Sequence, residues 1–374
     1  MSGRGTSSDA VERTFVGLPS PVVGRAGAGG HPCQGIYHAP AGRRPTTAFI
    51  ATHYNVDFAE HYLAELLAVR GFGFLGWNTR FRGAEAHFLL DHALAEIAVG
   101  VRWLREQGAE RIVLLGNSGG GSLMGAYQSQ SVEPNIRPAR GRTVLDAALD
   151  LPPADLFVFV AAHAGRPEVL TDWMDASVVD EAEPTSRDPS LDPFDPGPPY
   201  DAEFVARYRS AQRARNARIT AWCHSELDRL EAAGLSDRLF TMTRTWADLR
   251  MMDGSLDPSE RPTPSCYLGD PRRANAGVFG IGTLSTCRSW LNMWSLTDSD
   301  CRALPHLARL TIPTLLVQAS ADSGVFPSQA GELFAAVAAT DKQMETMPGD
   351  HYFEHPTGAR DEVADLIAAW TDEH

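Results

Sequence analysis

A serine with the surroundings of a nucleophile stands between a predicted strand and a predicted helix. The apolar run 111–115 (RIVLL) leads directly into Gly116-Asn117-Ser118-Gly119-Gly120, and a helix is predicted over residues 122–129. The spacing Gly-x-Ser-x-Gly alone is a weak signal, but its position at a strand-to-helix turn gives it physical meaning. A tight turn lifts the serine oxygen above the sheet, and the flanking glycines let strand and helix approach closely.

A base and a carboxylate that could activate this serine follow two later predicted strands. A serine hydroxyl is a weak nucleophile until a histidine takes its proton, and a carboxylate holds that histidine in the required tautomer. Asp322 lies on the turn after the predicted strand 311–318, and His351 lies on the turn after the predicted strand 343–347. The chain order Ser118, Asp322, His351 is the one expected of a nucleophile on this kind of turn.

Two alternatives concern the segment around the predicted base. His355 is a competing base, and Asp350 is interpreted as a solvated loop carboxylate. His351 and His355 are four residues apart with Glu354 between them, which is a spacing that could suit a metal on a helix. Pro356 breaks any helix there and no third ligand is evident. No metal site is therefore predicted.

The elements that must position these residues alternate along the chain as strand and helix, which is the pattern of a parallel sheet covered by helices. A small peripheral hairpin is expected at the amino-terminal end, with turns at residues 26–30 and 39–44. The predicted strands are 47–52, 73–77, 111–115, 156–162, 311–318 and 343–347. The predicted helices are 59–69, 92–107, 122–129, 327–340 and 357–370.

An insertion interrupts this pattern and divides the chain into a core, residues 1–163 and 305–374, and a cap, residues 164–304. The insertion opens with an acidic arm, residues 175–201, which is predicted to be loop or extended chain outside the packed core. The arm holds prolines 184, 189, 193, 196, 198 and 199. Asp201 is a plausible N-cap for a helix that ends at Ala233. Shorter helices are predicted over 241–252 and 283–294, which makes the insertion a mainly helical cap.

The chain resembles the α/β-hydrolase fold serine hydrolases over residues 47–162 and 305–370. The resemblance rests on GNSGG around Ser118, on PTLLVQASADSGVFP around Asp322, and on PGDH ending at His351. It implies an α/β fold with a mostly parallel central sheet flanked by helices. It also implies that Ser118 is the nucleophile, Asp322 the acid and His351 the base.

An oxyanion hole of the kind found with such a turn needs two N–H donors. One is expected from Gly119, the residue after the nucleophile. The other should come from the loop after strand 47–52, which reads Thr52-His53-Tyr54-Asn55 where many relatives have His-Gly. The sequence leaves open whether Tyr54 or Asn55 supplies this N–H, and the Tyr54 hydroxyl is a further candidate. His53 is expected to pin the loop instead of acting in catalysis.

Candidate substrate-binding residues lie at one strand end and in the cap. His163 follows strand 156–162, and its alternative is a packing role. Trp290 and Trp294 belong to a group of tryptophans that suggests a bulky apolar or aromatic pocket, although they could equally form the core of the cap. That group is Trp173, Trp222, Trp246, Trp290 and Trp294. A row of arginines could meet coenzyme A phosphates or pair with the acidic arm: Arg207, Arg209, Arg213, Arg215 and Arg218.

The composition of the chain limits the classes of molecule that it is expected to bind. The chain has 33 Lys+Arg against 47 Asp+Glu, a formal net charge of -14, which disfavours nucleic acid and anionic membrane surfaces. No apolar run is long enough to span a bilayer, and no signal peptide is evident, so a cytoplasmic protein is expected. The five cysteines are scattered without a CxxC pair, which favours reduced thiols.

These observations predict a hydrolase without a cofactor that acts on a small molecule. The bond cleaved is expected to be a carboxylic ester or lactone of a bulky apolar or aromatic substrate. The alternatives are hydrolysis of a carbon–carbon bond beside a ketone, hydrolysis of an acyl thioester, and a catalytically silent binding or scaffold protein of the same fold. The arm 175–201 is long enough to embrace a second subunit, and a homodimer formed through it is a further prediction.

Overall fold

A central sheet of eight strands organises the chain in the computed structural model, which describes residues 10–22, 31–183 and 185–374. The strand order is β1-β2-β4-β3-β5-β6-β9-β10. Strand β2 pairs antiparallel with both β1 and β4, and the neighbouring strands β4, β3, β5, β6, β9 and β10 all run parallel. The strands of this sheet are β1 (Val11–Leu18), β2 (Cys33–Pro40), β3 (Thr47–Ala51), β4 (Gly73–Asn78), β5 (Arg111–Asn117), β6 (Leu156–Val160), β9 (Thr314–Ala319) and β10 (Lys342–Met347). A separate hairpin pairs β7 (Leu239–Thr241) with β8 (Leu284–Thr286).

Helices cover both faces of the sheet and build the cap. In the core they are α1 (Ala64–Val69), α2 (Leu90–Glu106), α3 (Gly120–Val132), α9 (Leu304–Leu307), α10 (Pro327–Ala336) and α11 (Ala359–Glu373). In the insertion they are α4 (Arg166–Trp173), α5 (Ala202–Ala232), α6 (Leu249–Met252), α7 (Pro271–Ala276) and α8 (Cys287–Ser289), the last continued by a π-helical turn over Trp290–Trp294. None of the helices among the described residues has the length and apolar character needed to cross a membrane.

Alternating side chains of the central strands feed two cores. In β3, Phe49 and Ala51 point to the face covered by α1 and α11, and Ala48 and Ile50 point to the face covered by α2 and α3. Both sets are fully buried, so the strand is apolar along its whole length. This burial explains why the sequence of such strands reads as a continuous apolar run.

The strand order confirms the predicted α/β class and fixes where a ligand can bind. Strand β3 lies between β4 and β5, so the chain moves to one side of β3 and then returns to the other. The carboxyl ends of parallel strands meet at one sheet edge, and the crevice at such a reversal is the usual ligand site. The loops after β3 and β5 therefore face the expected site. The predicted strands and core helices match the observed elements, except that helix 59–69 begins only at Ala64 and helix 327–340 ends at Ala336.

Two short helices predicted in the cap are wrong. Residues 241–252 form the end of β7, an irregular segment and only then the four-residue α6. Residues 283–294 begin as β8 before α8 and the π-helical turn. The cause is the pairing of β7 with β8, a contact between segments more than 40 residues apart that periodicity cannot reveal. The 31-residue α5 does match, and the Asp201 side chain caps it by accepting a hydrogen bond from the Phe204 N–H.

The acidic arm is packed against α5, which corrects the prediction that it lies outside the core. Asp175, Ser177 and Val178 at its start are buried. Arg215 of α5 is fully buried and donates two hydrogen bonds to Glu181, at 2.8 and 2.6 Å. The α5 arginines thus pair partly with the arm, as one of the two interpretations had it. A dimer contact through the arm stays a prediction.

The remaining predictions concern the amino-terminal hairpin and the cysteines. The peripheral hairpin is present as β1 and β2, and residues 41 and 42 form a turn after β2. The predicted turn at residues 26–30 lies outside the described residues. All five cysteines are free and buried.

Gly116 sets the tightness of the turn that carries Ser118. A Cβ atom added at Gly116 would lie 2.6 Å from the Cα of Gly121, which is backbone and cannot rotate away. We expect Gly116→Ala to lower the free energy of unfolding by about 1–3 kcal/mol. Gly331→Ala in α10 is the control, because no atom lies within 4 Å of the added Cβ. Urea unfolding measures both, and equal midpoints would contradict this account of the turn.

Candidate active site

Ser118 occupies a left-handed turn directly after β5. Its φ of 53° lies in a region that residues other than glycine rarely adopt. The turn is held by the Ser118 N–H, which donates to the Val160 carbonyl at 3.1 Å, and by the Gly121 N–H, which donates to the Ser118 carbonyl at 3.1 Å. The side chain remains half-buried. The strand-to-helix turn therefore presents this serine at the carboxyl edge of the sheet.

Asp322 and His351 form a hydrogen-bonded pair at the same edge. His351 Nδ1 lies 2.6 Å from Asp322 Oδ2, and both side chains are buried. Asp322 Oδ1 accepts the backbone N–H groups of Gly324 and Val325, each at 2.9 Å. These donors fix the carboxylate so that Oδ2 faces the imidazole.

The second imidazole nitrogen of His351 is left free by this arrangement. Because Nδ1 donates its proton to Asp322, Nε2 is the unprotonated nitrogen of the neutral ring. Nε2 is buried and has no hydrogen-bond partner in the described part of the chain. Such a nitrogen is the proton acceptor that a nearby hydroxyl nucleophile requires.

Tyr267 from the cap completes the surroundings of this pair, and the sequence analysis missed it. Its hydroxyl donates to Asp322 Oδ1 at 3.1 Å, and the hydroxyl oxygen lies 2.9 Å from His351 Nδ1. Burial, followed by the Asp322 charge, raises the pKa of Tyr267 well above its ordinary value, so the phenol keeps its proton. Its ring packs on the His351 ring at 4.4 Å. This residue of the insertion therefore contacts both Asp322 and His351 directly.

Removal of the Tyr267 hydroxyl tests whether this contact orients the pair. We expect Tyr267→Phe to lower kcat for ester hydrolysis by about 2–10-fold, because the carboxylate loses the hydrogen bond from this hydroxyl but keeps those from two backbone N–H groups, while the ring packing is kept. KM should change less than kcat. Tyr352→Phe is the matched control, since Tyr352 also packs on His351, at 4.6 Å, but is 44% exposed and its hydroxyl makes no hydrogen bond to Asp322 or His351. A loss of equal size in the control would contradict a role for the Tyr267 hydroxyl.

Two backbone N–H groups beside the serine have no acceptor among the described residues: those of Gly119 and Tyr54. Both residues are buried, and a buried N–H without a partner is uncommon. The Asn55 N–H is directed to His53 Nδ1 at 3.4 Å. The Tyr54 hydroxyl is also engaged, with the Ser122 hydroxyl at 3.0 Å. The geometry thus favours the Tyr54 N–H over the alternatives that the sequence left open.

Two histidines lie above the residue that follows Ser118. A Cβ atom added at Gly119 would be 2.8 Å from His53 Nε2 and 3.3 Å from His163 Nε2. His53 pins its loop as predicted, because its Nδ1 accepts the N–H groups of Asn55 and Val56. Burial, followed by the charge of Arg166, lowers the pKa of each imidazole well below its ordinary value. Both rings are therefore neutral near pH 7.

Arg166 is the second residue that the sequence analysis missed. It is the first residue of α4 and is 3% exposed. The same Cβ position at Gly119 lies 3.3 Å from its guanidinium carbon. The guanidinium lies over the rings of Tyr54, at 4.7 Å, and Trp294, at 5.3 Å. The signal that could have found it is its sequence position, three residues after His163 at a strand end.

The structure separates the two predicted tryptophans. Trp294 is buried, and its ring lies against the Arg166 guanidinium. Trp290 is buried inside the cap, where its indole N–H donates to the Thr220 hydroxyl at 3.1 Å. A different pair lies closer to the base: the rings of Trp173 and Trp246 are 4.7 Å apart, and both pack on Tyr267. These three aromatic rings form a wall that contacts His351 through Tyr267, and its two tryptophans are buried in the apolar core of the cap.

The competing base and the metal alternative find little support in the geometry. His355 is exposed and pairs with Asp350 at 3.0 Å, so it points away from the buried pair. Asp350 is a half-buried carboxylate on a loop, and it also accepts a hydrogen bond from the Glu354 N–H. In the described ranges, no three His, Cys, Asp or Glu side chains are arranged to hold a metal ion.

Comparisons with known proteins agree with this architecture. No family model matches the chain, and no curated protein is significantly similar to it in sequence. Among solved structures, DcsB in complex with its substrate analogue has a TM-score of 0.53 at 13% identity, over 97% of this chain and 99% of that one. The siderophore hydrolase EstB from Aspergillus fumigatus has a TM-score of 0.51 at 13% identity, over 96% and 98%. The α/β hydrolase GrgF from Penicillium sp. sh18 has 0.50 at 12%, over 96% and 97%.

The chain therefore has the α/β-hydrolase fold, as the resemblance implied. The similarity extends over nearly the full length of both chains in each comparison. At these identities the comparisons establish the fold alone. Any activity must be argued from the residues at the sheet edge.

Proposed function

We propose that the protein is a serine hydrolase that cleaves a carboxylic ester or lactone through an acyl-enzyme on Ser118. One observation carries the proposal: a buried Asp322–His351 pair leaves its free imidazole nitrogen at the sheet edge where Ser118 occupies a left-handed turn. A nucleophile, a base and a carboxylate on loops of one sheet edge are the parts that acyl transfer needs.

The proposed reaction uses these groups in two half-reactions. The Ser118 oxygen attacks the substrate carbonyl carbon while His351 Nε2 takes the hydroxyl proton. The N–H groups of Gly119 and Tyr54 donate hydrogen bonds to the carbonyl oxygen as negative charge develops on it. His351 then gives its proton to the leaving alkoxide, and the acyl group remains on Ser118.

Water completes the cycle. It enters in place of the alcohol, and His351 Nε2 takes one of its protons as its oxygen attacks the acyl carbon. Collapse of the second tetrahedral intermediate breaks the bond to Ser118, and His351 returns the proton to the serine oxygen. A lactone follows the same steps, except that its alcohol remains attached to the acid product.

The aromatic wall favours a substrate whose acyl or alcohol group is apolar or aromatic. Trp173, Trp246 and Tyr267 are in contact with one another and, through Tyr267, with His351. Large rings supply contact area with few rotatable bonds, which favours bulky apolar ligands. The proposed substrate is therefore a small molecule, and no cofactor takes part in the proposed steps.

Covalent labelling tests the proposal most directly. A fluorophosphonate reacts with a serine that a neighbouring base activates, and mass spectrometry of the digested protein should place the adduct on Ser118. A panel of nitrophenyl esters, aryl lactones and an acyl-coenzyme A then ranks the bond types. Preferred turnover of the thioester would replace the ester assignment. Absence of both labelling and turnover would refute a hydrolase and support the scaffold alternative.

A further inference from the structure

Three hydrogen-bond donors converge beside the residue that follows the proposed nucleophile. His53 Nε2, His163 Nε2 and the Arg166 guanidinium all lie within 3.3 Å of the position that a Cβ atom at Gly119 would occupy. They come from three different segments, after β3, after β6 and at the start of α4. The proposed reaction uses none of them, so their convergence needs its own explanation.

The hydrogen bonds of the two histidines determine where their protons are. His53 Nδ1 accepts backbone N–H groups at 3.4 and 3.3 Å, and His163 Nδ1 accepts the Gly165 N–H at 3.3 Å. A nitrogen that accepts a hydrogen bond carries no proton, so each neutral ring carries its proton on Nε2. Neither Nε2 has a partner among the described residues. Both rings thus present an N–H donor toward Gly119.

Arg166 is a buried cation with most of its donors unused. Its one hydrogen bond within the described residues runs from Nη2 to Asn55 Oδ1 at 3.0 Å, and its Nε is buried without a partner. No carboxylate of the described chain lies within 4.0 Å of it, and Glu85 reaches it only through the Asn55 amide. Arg215, which is buried to a similar degree, donates two hydrogen bonds to Glu181. An arginine at that depth normally has such a partner.

We propose that the natural substrate carries a carboxylate near its scissile carbonyl and that Arg166, His53 and His163 bind it. A carboxylate has acceptors for all three donors, and charge-assisted bonds to arginine are the strongest of this kind. The subsite lies one residue from Ser118, so the carboxylate is separated from the reacting carbonyl by a short chain. This inference rests on the proposed ester hydrolysis and specifies its substrate class.

A series of half-esters tests the subsite. Monomethyl esters of dicarboxylic acids from succinic to suberic are each compared with the methyl ester of the monocarboxylic acid of the same chain length, at pH 7 in a pH-stat. We expect kcat/KM to be at least about tenfold higher for the charged ester at one of the shorter lengths. Arg166→Met should reduce this ratio at least about fivefold. Because a ratio is measured, a general loss of activity in the variant does not affect it.

Arg302→Met is the matched control. Arg302 also lies at the cap and is paired with Glu168 at 2.5 Å, so its charge is already satisfied. The ratio should stay at the wild-type value. If Arg166→Met fails to fold, Arg166→Lys takes its place, because it keeps the charge. Its ratio of kcat/KM for the charged ester to kcat/KM for the neutral ester should lie between the wild-type value and one. The wild-type comparison needs no variant.

Binding separates failure of this inference from failure of the proposed function. Adipate and its shorter homologues are titrated calorimetrically into Ser118→Ala with and without Arg166→Met. Equal hydrolysis of charged and neutral esters by wild type at every length would overturn the subsite and leave ester hydrolysis standing. A preference that persists in Arg166→Met would overturn the assignment to Arg166. If no ester is cleaved, dicarboxylate binding that depends on Arg166 would still support the subsite, and no binding would refute both.

Discussion

Ser118→Ala should lower kcat/KM for a nitrophenyl ester by at least about three orders of magnitude. The variant retains the Asp322–His351 pair and the backbone N–H groups of Gly119 and Tyr54, so substrate still binds and its carbonyl is still polarised. It has no atom that can form the acyl-enzyme. The residual rate should therefore reflect only unassisted attack by water. Initial rates at equal protein concentration, together with a burst of nitrophenol in the wild type alone, measure this loss.

Ser131→Ala provides the control for this measurement. Ser131 is half-buried on α3, the helix that begins just after Ser118, and its hydroxyl donates to the Gln128 carbonyl at 2.8 Å. Its removal should change kcat/KM by less than about threefold. Unchanged turnover in Ser118→Ala would show that the nucleophile is elsewhere and that the proposed acyl-enzyme does not form.

The second large effect is expected from Asp322→Asn, at about 10³–10⁴-fold in kcat. The local hydrogen bonds determine how the new amide must lie. Gly324 and Val325 both donate to the Oδ1 position, so the amide oxygen occupies that position and the NH₂ group faces His351. His351 Nδ1 must then accept, which moves the ring proton to Nε2. The base is present but already protonated on Nε2, the nitrogen that is proposed to take the serine proton.

The measurement is the pH dependence of kcat for the wild type, Asp322→Asn and the control Asp350→Asn. Asp350 lies on the same loop as His351 but pairs with the exposed His355. The kcat of Asp350→Asn should stay within about threefold of the wild-type kcat at every pH measured. If the two variants lose activity equally, Asp322 is not the acid that orients the base.

The parts of the molecule that follow local rules could be predicted from the sequence. The apolar runs and their turns locate the parallel strands, and the ends of those strands place Ser118, Asp322 and His351 at one edge of the sheet. This works because a buried parallel strand is apolar throughout and a strand end is marked by polar residues and glycine. Asp201 likewise indicates the start of α5, because its side chain can cap the first turn of the helix.

The parts that depend on the cap could not be predicted. Tyr267 is 55 residues before Asp322 in the chain, and nothing in its own segment indicates that its hydroxyl meets that carboxylate. The sequence position of Arg166 places it near a strand end, but the absence of a carboxylate partner, which gives this arginine its significance, is revealed only by the fold. The choice of Tyr54 over Asn55 depended on which N–H was already engaged by His53. Each of these facts is a property of contacts between segments, not of either segment alone.

The contact between Tyr267 and the proposed acid and base also gives the cap a built-in optical signal. Trp173 and Trp246 stack on each other and on the same tyrosine ring, and an indole's emission responds to the packing and polarity around it. A displacement of the cap from His351 would break the packing of the Tyr267 ring on the His351 ring and so change the surroundings of the tyrosine on which both indoles pack. Rapid-mixing fluorescence of the unlabelled protein therefore tests whether such a displacement accompanies turnover, with no dye and no change to the sequence.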